Sequence, residues 1–255
     1  MKSKRKRLAF LGVIIMVIAL FTACGGLQQN AEEEIAFECP ILEQAVRDAD
    51  GYTGEPIGPI YPPDVLGITT LQYIGSTSPR EIQVHNIIYE WEMGKSHHVL
   101  MNQETEDPEQ NLVPRAKITS LEGIQYLINL TDLRFSCNNV SDISPVQNLT
   151  NLERLDFNEN NVSDISPVQN LTNLEVLVFS VNNVSDISPL QNLTKLSALV
   201  FNDNNVSDIT SLVANSGLGS GDEVFMYSNN LNLIPGSQNM NDINTLIGRG
   251  VAVYY

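Results

Sequence analysis

The sequence predicts an α/β solenoid: a horseshoe-shaped stack of similar units with parallel strands on the concave face, short 3-10 or irregular segments on the convex face, and a cap at each end. Three observations lead to this prediction. The tetrapeptide Ser-Asp-Ile-Ser, with Thr at its end in the last copy, begins at Ser141, Ser163, Ser185 and Ser207, in steps of 22 residues. Apolar residues recur at fixed places in every unit, and an amphipathic segment precedes the array. Such units are stable only when they stack.

The N-terminus carries a targeting signal. Five basic residues lie within residues 2–7, and an uninterrupted apolar or small run of fourteen residues, 8–21, follows. This run is shorter than the about 20 residues that span a membrane, so residues 1–23 are predicted to be a secretory signal peptide. The ending Thr22-Ala23-Cys24 resembles the lipobox of bacterial lipoproteins. The resemblance implies cleavage before Cys24 and lipidation of this cysteine; an uncleaved signal anchor is the alternative.

Composition narrows the possible partners. Removal of residues 1–23, which hold five basic and no acidic side chains, changes the formal charge from −16 to −21. Such an acidic chain is not expected to bind nucleic acid through its phosphates or to bind anionic lipid headgroups. Residues 24–36 are polar and predict a flexible tether. We therefore expect a lipid-anchored, extracytoplasmic protein on the cell membrane, held there by the lipid on Cys24.

The segment between tether and array predicts an N-terminal cap, residues 37–117, with a non-repeat insert at about 74–115. One helical face carries Ile41, Leu42, Ala45, Val46 and Ala49, as a cap helix requires. The insert holds Trp91, the single tryptophan, and its apolar runs around Gly94 suggest a hairpin. An alternative is that this insert, and not the repeats, determines which partner the protein binds. Adjacent histidines on a strand point to opposite faces, so no metal site is predicted at His97 and His98.

Each unit of the array, residues 118–216, follows the pattern Leu152-x-x-Leu155-x-Phe157-x-x-Asn160. Leu155 and Phe157 alternate with variable neighbours, which is the period of a strand. The side-chain amide of Asn160 can satisfy backbone groups in the turn that follows. Asp164 can cap the convex segment that Pro167 begins; calcium binding by the Asp column is the alternative, but calcium needs six to eight oxygens.

The 22-residue unit with Asn-Asn-Val-Ser-Asp-Ile-Ser-Pro resembles the internalin-type leucine-rich repeats of bacteria. Residues 37–47 resemble the cap helix of related bacterial proteins, and residues 217–255 resemble a degenerate last repeat with its C-terminal cap. The resemblance implies a leucine-rich-repeat horseshoe whose parallel strands line a concave, ligand-binding face. We expect a binding module for a protein partner at the cell envelope or outside it.

The residues that flank the inward positions of the strands are predicted to face a partner. The N-terminal half of this surface is charged or polar, and the C-terminal half is apolar, with Phe225 and Tyr227 as aromatic anchors. The last copy is aligned through Val224, Met226 and Asn229. The predicted partner-binding residues are Arg134, Asp156, Asn158, Val176, Val178, Ser180, Val200, Asn202, Phe225 and Tyr227.

Two other functions remain open: a structural envelope protein that self-associates through the apolar patch, and a glycan-binding protein that uses Phe225, Tyr227 and Trp91. Motifs of common enzyme classes are missing from the sequence, so no catalytic residue, cofactor or metal is predicted. Only three cysteines occur. Beside Cys24 there are Cys39 and Cys137, for which we expect free thiols.

Overall fold

The computed structural model describes residues 34–49, 51–54, 58–72 and 117–255. The predicted signal peptide, Cys24, most of the tether and the insert at about 74–115 lie outside these residues. Within the described ranges, no helix combines the length and apolarity that a membrane crossing requires.

One parallel sheet of seven strands organises the described part of the chain, and each strand pairs with its neighbour in sequence order. The strands, of three residues each, are β1 Thr70–Gln72, β2 Asp132–Arg134, β3 Arg154–Asp156, β4 Val176–Val178, β5 Ala198–Val200, β6 Glu223–Phe225 and β7 Ala252–Tyr254. The chain returns between strands on the opposite side through 3-10 helices at Ile124–Tyr126, Ser144–Val146, Ser166–Asn170 and Ser188–Asn192. The predicted solenoid is confirmed.

Within the described ranges, four α-helices accompany the sheet: α1 Pro40–Arg47, α2 Pro62–Val65, α3 Thr210–Ala214 and α4 Gln238–Gly248. Helix α1 buries Leu42 and Val46, and its other predicted apolar residues pack partly buried against the same core. Helix α4 begins after Ser237, whose hydroxyl accepts a hydrogen bond from the backbone N–H of Met240 at 3.3 Å. Ile243 and Leu246 of α4 are fully buried. Both ends of the array are therefore closed by amphipathic helices.

The core lies between the sheet and the 3-10 helices and consists of columns of identical residues. Leu133, Leu155, Leu177 and Leu199 form one column, and each is 0–1% exposed. A second column stacks Phe135, Phe157, Phe179 and Phe201, with ring centroids 5.6–5.8 Å apart and ring planes within 12–15°. Offset stacking of this kind adds about 0.5–1.5 kcal/mol per pair beyond area burial. The 22-residue period thus stacks identical side chains of successive repeats on one another.

A column of buried asparagines joins consecutive repeats. Asn182 is representative: its Oδ1 accepts from the backbone N–H of Val162 at 2.9 Å, and its Nδ2 donates to the carbonyls of Phe157, Phe179 and Ser180, each at 3.1 Å. The corresponding residues make the same kinds of bond, namely Asn138, Asn160, Asn204 and Asn229. The predicted role of Asn160 is confirmed, and it extends to the preceding repeat.

The aspartate column caps the convex segments. The Oδ1 atoms of Asp142, Asp164, Asp186 and Asp208 accept backbone N–H bonds from the residues two places later, at 2.7–2.8 Å. Each bond satisfies a donor that a helix start leaves unpaired. Each aspartate lies one place before the N-cap residue, which is an isoleucine, so it bonds the first N–H of the segment without being the N-cap itself.

We expect Asp208→Ala to flatten the pH dependence of stability in acid. Hydrogen bonds from Thr210, first from its backbone N–H and to a smaller extent from its side chain, hold the pKa of Asp208 below its usual value. The usual value is about 3.9 in unfolded chains. The unfolded state then binds this proton more readily, so the stabilisation is present above pH 4 and disappears as pH falls through the lowered folded-state pKa. Thermal melts of parent and variant between about pH 2 and 5 measure this; parallel curves would contradict it.

Two strands were not predicted. Strand β1 pairs with β2, with Leu71 opposite Leu133, so the segment before the repeats contributes a strand to the sheet. Strand β7 pairs with β6, Val253 opposite Val224, so the C-terminal cap does the same. Neither strand carries the Leu-x-Phe-x-x-Asn pattern that marks β2 to β5.

Candidate functional site

Alternate residues of each strand point away from the core, and we call the surface that they form the concave face. The strand register fixes two rows. The first row is Thr70, Asp132, Arg154, Val176, Ala198, Glu223 and Ala252. The second row is Gln72, Arg134, Asp156, Val178, Val200, Phe225 and Tyr254. A third row follows the strands: Ser136, Asn158, Ser180, Asn202 and Tyr227.

The N-terminal half of the concave face is charged and internally bonded. Arg134 binds the carboxylate of Asp132 through two hydrogen bonds, of 2.8 and 2.6 Å, a bidentate geometry that orients both side chains. Asp156 is buried, and its Oδ1 accepts from the hydroxyl of Ser136 at 2.5 Å and from the backbone N–H of Asn158 at 3.1 Å. These side chains are therefore held in place before any partner arrives.

The C-terminal half of the second row is apolar. Val178 and Val200 are only 1% and 2% exposed, although they lie outside the core cluster. Beside them Phe225 stacks on Tyr254 with ring centroids 4.3 Å apart and ring planes 3° from parallel. Strand β7 thus adds a second aromatic ring to the row that the sequence predicted to end at Phe225.

The third row is a polar ladder. The backbone N–H of Asn202 donates to the hydroxyl of Ser180 at 3.0 Å, and the backbone N–H of Tyr227 donates to Oδ1 of Asn202 at 2.8 Å. The Oδ1 atom of Asn158 is buried and accepts no hydrogen bond within the part of the chain that the structure describes. An unpaired buried acceptor is costly, and it is a place where a donor from a ligand would be favoured.

A shallow groove runs along the first row and gives access to the face. Its cavity volume is about 290 Å³. The residues that line it are Thr70, Thr131, Asp132, Glu153, Arg154, Glu175 and Val176. Three of these residues carry carboxylates, and the others are two threonines, one arginine and one valine. The groove has no enclosed chamber in which a small substrate could be held away from water.

The ten predicted partner-binding residues do lie on the concave face, but they are not equally accessible. Five are buried: Asp156, Asn158, Val178, Ser180 and Val200. Arg134, Val176, Asn202 and Phe225 are half-buried, and Tyr227 is exposed. Contact with a partner through all ten therefore stays a prediction, and the half-buried and exposed residues are the ones that could be reached directly.

Sequence reasoning missed Tyr254, which completes the aromatic end of the second row. A signal was present, because Ala252-Val253-Tyr254 repeats the variable-apolar-variable alternation of the other strands. Trp91, a predicted candidate for glycan binding, lies outside the described residues.

In the described part of the chain, titratable side chains outside the concave face form no candidate metal site. Over the described ranges, no group of three or more His, Cys, Asp or Glu side chains is placed to hold a metal ion. Cys39 and Cys137 are buried, and neither forms a disulfide bond within the part of the chain that the structure describes. Burial raises the pKa of the Cys39 thiol, but hydrogen bonds from backbone groups of Thr119 and Leu42, among others, outweigh burial and leave it lowered. Neither thiol lies in the three rows.

Comparison with known proteins supports the repeat assignment. The family described as leucine-rich repeats, two copies, matches residues 128–170 and 172–214. Comparison with curated proteins gives no match.

A solved structure shares this fold. An internalin, inlF from Listeria monocytogenes, is 23% identical over 86% of this chain and 56% of its own, with a TM-score of 0.55. The chain thus spans little more than half of that internalin. Internalin C2 from the same species is 27% identical over 81% and 91% of the two chains, with a TM-score of 0.42. This protein therefore carries leucine-rich repeats in a solenoid fold similar to that of an internalin.

Proposed function

We propose that this chain is a lipid-anchored, extracytoplasmic module that binds a protein partner through its concave face. The observation that carries the proposal is the contrast between the two sides of the sheet. From β2 to β5 the inward positions repeat the same Leu and Phe, whereas the second row changes from Arg134 through Asp156 to Val178 and Val200. Folding explains the constant side, and a ligand explains the varied one.

The anchor belongs to the proposal because of the residues around Cys24. A single acyl chain holds a protein only marginally, so stable attachment needs more than one chain. A cysteine acylated on both its thiol and its new amine would meet this need. The polar residues 25–33 would then separate the repeats from the bilayer.

The chemistry of the accessible face favours a protein over a small molecule. The groove beside the first row is shallow and polar, and small-ligand sites are concave and mostly apolar. A preorganised ion pair at Arg134, a half-buried Val176 and an aromatic pair at Phe225 and Tyr254 instead give the mixed polar and apolar character of protein interfaces.

The test is crosslinking capture from cell envelopes with the full chain and two matched variants. Val176→Asp with Ala198→Arg alters half-buried positions of the first row and is expected to reduce capture of the partner at least tenfold. That loss corresponds to about 1.4 kcal/mol of binding free energy. Gln169→Asp with Gln191→Arg makes the same charge changes at exposed convex positions and should capture the partner like the parent. Equal capture by all three proteins would remove the concave face from the proposal.

The same cells test the anchor. The parent is expected in the membrane fraction and in the detergent phase of a detergent partition, and Cys24→Ser is expected in the soluble fraction. If the Cys24→Ser protein remained membrane-bound, its attachment would be by an uncleaved signal anchor and not by a lipid.

A further inference from the structure

One edge of the concave face, at the end of its third row, carries exposed apolar side chains that are not part of the core. Val181 is 47% and Tyr227 45% exposed, and the exposed Asp203 lies between them on the intervening repeat. The three are contiguous through the backbone. The N–H of Val181 donates to the carbonyl of Asn202, and the N–H of Asp203 donates to that of Tyr227, both at 2.9 Å. We call this surface the exposed rim.

Val181 is an unusual residue type for the backbone conformation at its position. Its φ is 54°, and the equivalent residues Glu159, Asp203 and Ser228 have φ of 51°, 53° and 55°. Left-handed backbone is tolerated by Asp and Asn but is unfavourable for a β-branched residue. A valine here gains little from burial and strains the turn. Residues held at such a cost are concentrated where function retains them.

The charge of the rim indicates what would bind there. The Asp203 carboxylate stands exposed between two apolar side chains and forms no ion pair with any residue that the structure describes. The whole chain has a formal net charge of −16, which attracts basic partners and raises their association rate. Tyrosine is among the residues that most often dominate binding energy.

We propose that Val181, Asp203 and Tyr227 form a docking surface for a protein segment in which a Lys or Arg lies between two apolar side chains. Neighbouring strands are about 4.8 Å apart, so Val181 and Tyr227 are separated by roughly 10 Å, the length of three residues of extended chain. The two apolar side chains of the segment would contact Val181 and Tyr227, and its cation would pair with Asp203. This inference rests on the proposed function, because it names the partner chemistry of a binding module.

The first experiment selects peptides from a displayed random 12-residue library on the full chain. We expect the enriched peptides to share a Lys or Arg flanked by aliphatic or aromatic residues. No enrichment, or enrichment of acidic peptides, would overturn the proposal.

The second experiment measures the affinity of the most enriched peptide for three variants by fluorescence anisotropy. Val181→Asn should weaken binding about tenfold and at the same time raise the melting temperature by about 2–4 °C, because Asn tolerates the left-handed backbone. A binding loss combined with greater stability cannot come from misfolding. Asp203→Asn should weaken binding and reduce its dependence on salt. Unchanged affinity in both variants would overturn the proposal.

The third variant separates this inference from the proposed function. If Val176→Asp with Ala198→Arg loses the peptide while the rim variants keep it, the exposed rim is wrong and the concave face stands. If the rim variants lose the peptide while the concave-face variant keeps it, the exposed rim stands and the concave face is not the site for this ligand.

Discussion

Phe179→Ala is expected to lower the free energy of unfolding by about 3–5 kcal/mol, a large part of the stability of an ordinary domain. The ring of Phe179 is fully buried and stacks on Phe157 and Phe201, each at a centroid distance of 5.6 Å. Its removal leaves a cavity between two rings that the regular strand spacing holds in place, so the site cannot collapse well. Urea titration followed by far-ultraviolet circular dichroism measures the loss.

Phe179→Leu is the matched control, since it retains an apolar side chain of intermediate volume. It should cost about 1–1.5 kcal/mol. A loss below about 1 kcal/mol for Phe179→Ala would mean that the aromatic column does not support the fold as its packing indicates.

Asn182→Ala is expected to lower the free energy of unfolding by about 2–4 kcal/mol, through polar groups and not through lost volume. The change leaves the buried N–H of Val162 without its acceptor and removes the donor to the carbonyls of Phe157 and Phe179. Each buried group left unsatisfied costs about 1–3 kcal/mol. The same urea titration reports the effect.

Two further variants identify the cause. Asn183→Ala changes the exposed neighbour and should stay within about 0.5 kcal/mol of the parent. Asn182→Asp keeps an acceptor for Val162 but points a carboxylate at three carbonyl oxygens, so it should destabilise more than alanine at neutral pH. If Asn182→Asp were as stable as the parent, the amide donations would not matter.

The repeats were predictable because one pattern encodes strand, core and turn together. The residue types and spacing of Leu155, Phe157 and Asn160 predict their environments. In the structure Leu155 and Phe157 are buried in the core, and Asn160 bonds to backbone groups. Strand β1 was not predicted, since Leu71 stands alone without a neighbouring Phe or Asn to mark its place. Pairing with β2, which is distant in sequence, makes it a strand.

The membership of the concave face was predictable, but its accessibility was not. Period alone places Val176 and Val178 on the same side of β4, yet Val176 is half-buried and Val178 is 1% exposed. Exposure depends on what surrounds a side chain in three dimensions, which no spacing rule contains. Of the exposed rim, the sequence predicted only Tyr227 as a binding residue; the left-handed backbone and the exposure of Val181 follow from its place in the turn after β4.

The asparagine column has a consequence for how such a chain could change over generations. Each amide bonds only to its own repeat and the one before it, so the junctions between copies are interchangeable. Gain or loss of one 22-residue copy by recombination would lengthen or shorten the concave face by about 4.8 Å and leave every junction of the same kind. Recombination could also change the order of the copies, which now runs from charged to aromatic, and the core residues would stay the same.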